Sequence, residues 1–231
     1  KLLYINYPNN PTGTIATRSF FAEVVKFAKE NNIVVVNDAA YGALTYDGNK
    51  PLSFLSVEGA MDVGIEVHSL SKAFNMTGWR IGFICGNAKA VRAFATVKDN
   101  SDSGQFRAIQ RAGIKALNNP EITKRTVGKY SRRFDLLVAA LNEAGFNAKK
   151  PGGTFYCYVK APSGTQDGIT FNTASEFSEF LIKEALISTV PWDDAGKYVR
   201  FSVTFEADNP EKEIEVIKEL KNRIGRLRLR F

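Results

Sequence analysis

The sequence has only one histidine and two cysteines among its 231 residues, and this scarcity removes several chemistries before any motif is read. A serine-type triad needs a histidine base beside a nucleophile and a carboxylate. The lone His68 sits in a strand-like run, where packing or hydrogen bonding accounts for it. Cys85 and Cys157 lie in Phe83-Ile84-Cys85-Gly86 and Phe155-Tyr156-Cys157-Tyr158, outside any paired-cysteine motif. No metal site follows from them. They read as buried free thiols in a reducing compartment, which makes the cytoplasm the expected location. No stretch approaches the ~20 apolar residues that cross a bilayer, so no membrane association is expected. Lys+Arg number 31 against 24 Asp+Glu, a formal charge of +7, but the excess is dispersed. Its densest part, Arg223 to Phe231, alternates basic with apolar residues, as an amphipathic strand or a frayed tail does. A solvated face accounts for this better than a nucleic-acid surface, because the chain has neither an RNP-type aromatic run nor a zinc-finger spacing.

What the sequence does contain is a lysine in an unusual setting. Lys72 stands in Ser69-Leu70-Ser71-Lys72-Ala73-Phe74-Asn75-Met76-Thr77-Gly78-Trp79-Arg80-Ile81-Gly82, after an apolar strand-like run. A protonated lysine is a poor nucleophile, so covalent work requires a field that favours the neutral amine or traps it as a Schiff base. Arg80 can supply part of that field, and its planar fork matches a phosphate. With the hydroxyls of Ser69 and Ser71, the set describes a pocket for a phosphorylated aldehyde and points to pyridoxal 5'-phosphate. Two solvated charges flanking a Gly-rich loop would give the same local pattern.

Upstream residues bear on that choice. The β-branched run Ile33 to Asn37 reads as a buried strand of a parallel sheet, closed by Asp38 and followed by Tyr41. Ligands bind at the C-terminal ends of such strands. A carboxylate there can keep a pyridine nitrogen protonated, and Tyr41 can hydrogen-bond the ring's phenolic oxygen. Earlier still, Tyr7-Pro8-Asn9-Asn10-Pro11-Thr12-Gly13 follows the run Leu2 to Asn6. It is a rigid turn in which Asn10, biased away from helix by Pro11, points its amide into a cleft; an ordinary loop would look similar.

The ordered series Asn10-Pro11-Thr12-Gly13, Asp38-Ala39-Ala40-Tyr41, Ser69-Leu70-Ser71-Lys72 and Gly78-Trp79-Arg80-Ile81-Gly82 resembles the class I/II aminotransferases, a family of fold type I pyridoxal phosphate enzymes. Pro151 to Tyr156 and Tyr198 to Ser202 extend the resemblance over essentially the whole chain. It implies that Lys72 holds the cofactor as a Schiff base and then moves the proton, and that Asp38 pairs with the ring nitrogen. Asn10 and Tyr41 would bind the ring oxygen, and Ser69, Ser71 and Arg80 the phosphate. Arg200 would clamp the substrate α-carboxylate, although a strand arginine is also often paired with a neighbouring acid. The family further implies a homodimer. The chain opens at Lys1 on a strand-like run without an initiator methionine, so an N-terminal portion carrying more of the cofactor pocket is expected to be missing.

The resemblance also implies an α/β fold, with the three-layer, mostly parallel sheet of the fold type I large domain and a smaller C-terminal α/β domain. The expected division is 1–143 for the cofactor-binding part and 144–231 for the small domain. Thr17 to Asn32 carries Phe20, Phe21, Val24, Val25 and Ala28 at helical spacing, and with the strand runs on either side it predicts a parallel crossover. Further strands are expected at Gly64 to His68 and Arg80 to Cys85, then helix from Ala88 to Leu141, with Asn119-Pro120-Glu121 opening the last helix and Gly145 stopping it. In the second part, strands are expected at Thr154 to Val159, Leu186 to Val190 and Val199 to Val203. Helices are expected at Thr173 to Ala185 and Pro210 to Ile224, and a polar loop at Pro162 to Gly168. The activity implied is amino-group transfer between an amino acid and a 2-oxo acid. The wording of Phe74 to Arg80 and Val190 to Gly196 is similar to the LL-diaminopimelate and alanine/aspartate types. A β-eliminating lyase of the same fold, or a catalytically incomplete fragment or binding domain, are the alternatives.

Overall fold

Parallel pairing begins with the first residues of the chain. In the computed structural model, which describes residues 1–102 and 104–231, β1 (Leu2–Asn6) is followed by α1 (Arg18–Asn31) and β2 (Val34–Asp38), and the two strands pair in parallel with Asn6 opposite Asp38. Thr17 starts α1 by accepting the Phe20 N–H, and Asn32, at φ 51°, ends it in the left-handed region. The apolar stripe is buried as expected: Phe21, Val24, Val25 and Ala28 pack with Val35 and Phe54, and the Phe21 and Phe54 rings meet edge-on at 5.4 Å. Each of these valines and phenylalanines contributes roughly 1.5–3 kcal/mol by leaving water.

A short helix, α2 (Ala60–Val63), leads into β3 (Gly64–Ser69), which pairs in parallel with β2. Gly64 is required there, since a Cβ would lie 2.8 Å from the Val35 carbonyl oxygen. β4 (Gly82–Gly86) then returns antiparallel to β3, giving a mixed, mostly parallel sheet in the order β1-β2-β3-β4. It starts later than the expected Arg80. Residues Thr77–Trp79 form a 3-10 turn and Arg80 closes it at φ 50°, outside strand geometry. The helical stretch resolves into α3 (Ala88–Asp99), α4 (Arg107–Leu117) and α5 (Pro120–Glu143).

The remaining elements are β5 (Tyr156–Lys160), β6 (Gly164–Thr165), α6 (Ala174–Ala185), β7 (Val190–Trp192), β8 (Tyr198–Ser202), α7 (Pro210–Arg226) and β9 (Leu229–Arg230). The sheet β5-β8-β7 is antiparallel throughout. Two expectations need correction. The strand expected at Leu186 to Val190 begins only at Val190, because Leu186 caps α6 in the left-handed region at φ 53°. β7 is an edge strand, which suits Pro191 because proline has no N–H to donate. The polar loop at 162–168 contains β6, which pairs with the basic tail strand β9.

The chain forms two compact units. One comprises Lys1–Asn10, Thr14–Gly128 and Gly152–Thr154; the other comprises Pro11–Gly13, Lys129–Pro151 and Phe155–Phe231. Their division falls inside α5, whereas the sequence places it after residue 143. In the second unit Phe146, Phe171, Phe177 and Phe201 form an aromatic core.

Candidate active site

Parallel register determines where the motif residues stand. β1, β2 and β3 run the same way, so the loops that follow Asn6, Asp38 and Ser69 leave from the same end of the sheet. β4 runs the opposite way with Gly82 opposite Ser69, so Arg80 stands at that end too. Asn10, Asp38, Tyr41, Ser69, Ser71, Lys72 and Arg80 all belong to this unit. Arg200 belongs to the other.

The lysine loop is anchored by its apolar residues. Leu70 and Met76, on either side of Lys72, are buried with Ala116 and pack against Phe74, Ile81, Ala112 and Ile122. Lys72 itself is only partly buried, and its Nζ lies 5.7 Å from the centroid of the buried Tyr41 ring, within cation–π range. The phosphate-type residues are tied together through Thr77. Its hydroxyl donates to the Ser71 carbonyl at 2.8 Å, and its own carbonyl accepts from Arg80 Nη1 at 2.9 Å. The Ser71 N–H donates to Ser69 Oγ at 3.2 Å. Arg80 itself is exposed and is linked to Ser71 only through Thr77.

Asp38 is partly buried and has neutral partners. Its Oδ2 accepts from the Tyr4 phenol at 2.7 Å and its Oδ1 from the Ala40 N–H at 3.1 Å. Its carbonyl accepts from Asn6 Nδ2 at 2.8 Å, while Asn6 Oδ1 accepts from the Asn10 N–H at 2.9 Å. One hydrogen-bonded chain thus joins Asn10, Asn6 and Asp38. Tyr4 and Thr77 escaped the sequence reading. Two-residue alternation along β1 places Tyr4 on the face of Asn6, the signal by which it could have been found.

His68 is not part of this arrangement. It stacks on Phe83 at 4.8 Å and bonds the buried Glu66 at 3.2 Å, as a packed histidine does. Cys85 is only partly buried, a correction to the expected buried pair, whereas burial pushes the Cys157 thiol up to about 12. Among the described residues no cluster of His, Cys, Asp or Glu could hold a metal ion, and no helix is long and apolar enough to cross a membrane.

In the second unit Arg200 lies mid-strand in β8, with its guanidinium 3.7 Å from the Tyr156 ring centroid and 5.6 Å from that of Trp192. These aromatics are diagonal neighbours on its face of the sheet. The resulting stack keeps the planar fork flat.

An amine, a carboxylate and a guanidinium belong to loops at one end of a mostly parallel α/β sheet, and solved aminotransferases share the fold. Substrate-bound BacF from Bacillus subtilis matches all of the chain and 57% of its own, at 38% identity and a TM-score of 0.90. The aspartate aminotransferase from Rhizobium meliloti matches 99% of the chain at 27% identity, with a TM-score of 0.86. The model of the aminotransferase class I and II family matches residues 1–219, and the chain belongs to that family. The LL-diaminopimelate aminotransferase of Methanococcus maripaludis is 59% identical over the whole chain, and that of Methanocaldococcus jannaschii equally so. A relative from Bacillus subtilis, L-glutamine--4-(methylsulfanyl)-2-oxobutanoate aminotransferase, is 40% identical over 99% of the chain. The chain spans 56% and 57% of the length of the two LL-diaminopimelate relatives.

Proposed function

We propose that the complete protein is a pyridoxal phosphate-dependent aminotransferase that moves an amino group between an amino acid and a 2-oxo acid. The observation that carries the reading is the donor set at one end of the β1–β4 sheet: Lys72 against Tyr41, Asp38 with neutral partners only among its hydrogen bonds, and Arg80 joined through Thr77 to the loop of Ser69 and Ser71. These groups fit an aldehyde, a pyridine nitrogen and a phosphate respectively. When bound, pyridoxal phosphate supplies an aldehyde for imine formation and a ring that accepts the electron pair freed when the α-hydrogen leaves as a proton.

The chain's own residues have complementary tasks. Lys72 would hold the cofactor through its amine, and its Nζ would take and return the substrate α-proton. Asp38 would pair with the ring nitrogen and keep it cationic. Asn10 and Tyr41 would orient the ring through its oxygen, while Arg80, Ser69 and Ser71 would hold the phosphate. Arg200, kept flat by Tyr156 and Trp192, takes the substrate α-carboxylate through a bidentate pair. The cofactor-binding part is assigned to 1–143 and the part carrying Arg200 to 144–231. LL-diaminopimelate is the proposed amino donor, supported by the 59% identity to two enzymes named for it. The protein is further proposed to act as a homodimer in the cytoplasm, a location supported by its two free cysteines.

The test is to mix the complete protein with pyridoxal phosphate, reduce with borohydride and look for the adduct mass on the Lys72 peptide. It is expected in the wild type and absent from Lys72→Ala. A nitrogen-15 label should then pass from amino acid to oxo acid without release of ammonia. Release of ammonia and pyruvate instead would identify a β-eliminating lyase, and a complete protein that forms no adduct on Lys72 would overturn the reading.

A further inference from the structure

We propose that Tyr4 is a positioning residue for Asp38, holding its carboxylate in the orientation in which it meets the cofactor's ring nitrogen. This rests on the role given to Asp38 in the proposed function. The geometry begins in the parallel pairing of β1 with β2, where Asn6 lies opposite Asp38. Tyr4, two residues earlier, shares the face of Asn6, and its phenol reaches forward along that face to Oδ2 at 2.7 Å. From the other side the Ala40 N–H holds Oδ1 at 3.1 Å. The carboxylate plane is therefore fixed at both oxygens, and each oxygen retains a lone pair for another donor. Asn6 Nδ2 on the Asp38 carbonyl fixes the backbone beneath it.

The identity of the donor matters. A guanidinium or ammonium at this point would neutralise Asp38, whereas a phenol orients it and leaves its charge to face a cation. The phenol also keeps its proton: burial, then the hydrogen bond to Asp38 and its negative charge, push Tyr4 up to about 12. Tyr4 thus remains a donor across the whole range in which an aminotransferase works. Because Tyr4 is 59% exposed, water competes for the bond and the effect on the cofactor is moderate.

The test uses the complete protein loaded with pyridoxal phosphate carrying nitrogen-15 in the ring, and compares wild type, Tyr4→Phe and Asp38→Asn. Removing one hydrogen bond to a charged group should weaken cofactor binding about three- to tenfold in Tyr4→Phe. The ring-nitrogen resonance should also move from the protonated toward the unprotonated position, while melting of the cofactor-free protein stays as in wild type. Asp38→Asn should move the resonance further. If Tyr4→Phe weakens binding but leaves the resonance in place, or changes neither, while Asp38→Asn moves it, Tyr4 does not position the carboxylate and the assignment of Asp38 stands. If neither variant moves the resonance, the assignment of Asp38 fails and the inference falls with it. Should Tyr4→Phe melt early, Tyr4→Leu and the resonance of the folded fraction decide between the same outcomes.

Discussion

Glu213 in one unit and Asp38 in the other are both carboxylates held by hydrogen bonds, and they are held in opposite ways. Glu213 is 2% exposed and fully engaged by charge: Arg132 Nε reaches Oε2 at 2.7 Å, while Arg133 Nε and Arg132 Nη2 reach Oε1 at 2.8 and 3.1 Å. Arg133 also donates to the Val203 and Phe205 carbonyls and stacks on the Phe205 ring, so the cluster fastens α5, α7 and the chain leaving β8 to one another. Asp38, partly exposed, is met by a phenol and a backbone N–H. Glu66 lies between these extremes. It is buried and saturated by donors from Asn37, Ser53, Phe54 and His68, among which only the histidine can carry charge. A carboxylate that holds a fold is quenched by its neighbours. Asp38, which the proposed function assigns to chemistry, is oriented and left with its charge.

The comparison can be broken most forcefully at Glu213. Glu213→Ala leaves the Arg133 guanidinium buried without its carboxylate, and breaking a buried pair in that way costs about 3–5 kcal/mol. Denaturant unfolding should show a loss of that size. A loss near that of a surface substitution would mean that the cluster does not fasten the unit. Glu66→Gln keeps the shape but exchanges one acceptor oxygen for an amide, leaving some of its donors unsatisfied. Its expected loss is smaller, about 1–3 kcal/mol.

Acid should sharpen the same contrast. Burial pushes Glu213 up, but hydrogen bonds from Arg132 and Arg133 outweigh it and hold the carboxyl below its ordinary 4.5. Burial likewise pushes Glu66 up, and its bonds from His68, Ser53, Asn37 and the Phe54 N–H likewise hold it below 4.5. A carboxyl with a depressed folded value stabilises the native state fully above its unfolded value, and that stability drains away as pH falls through the folded one. Stability should therefore decline below about pH 4.5, and Glu213→Gln should flatten the decline. Equal slopes in wild type and Glu213→Gln would show that Glu213 is not held low.

The candidate site residues were legible as candidates because they stand at punctuated strand ends. Asn10 precedes a proline, Asp38 closes a β-branched run, and Lys72 and Arg80 sit in a hydroxyl- and Gly-bearing loop; each pattern alone also fits an ordinary loop, and their order along the chain is what singles them out. The start of α5 was equally visible, since Asn119, just ahead of Pro120, accepts the Glu121 N–H. What the pattern missed depends on distant partners or on unusual backbone. Leu186-Ile187-Ser188-Thr189-Val190 reads as a strand, yet a leucine adopts the left-handed cap that glycine usually fills. β6 and β9 are two residues each and exist only through mutual pairing, as the bonds from Arg132 and Arg133 to Glu213 exist only through tertiary contact. Tyr4 was passed over because its partner lies on the neighbouring strand, and α5 carries no break to mark where the units part.

Of the three carboxylates, the smallest effect on folding is expected at Asp38, the one to which the proposed function gives a chemical role. Asp38→Asn retains an acceptor oxygen for the Ala40 N–H or the Tyr4 phenol and leaves no buried cation behind, so its cost in unfolding experiments should be under about 1 kcal/mol. The amide cannot keep a ring nitrogen cationic. The rate of amino transfer in the complete protein should therefore fall about a hundredfold or more, the scale on which single preorganised electrostatic groups act. Reduction with borohydride should still yield the adduct on Lys72, because imine formation there depends on the amine and the aldehyde. An Asp38→Asn protein that unfolds as readily as Glu213→Ala would place Asp38 among the carboxylates that hold the fold, and the distinction between the two would be lost.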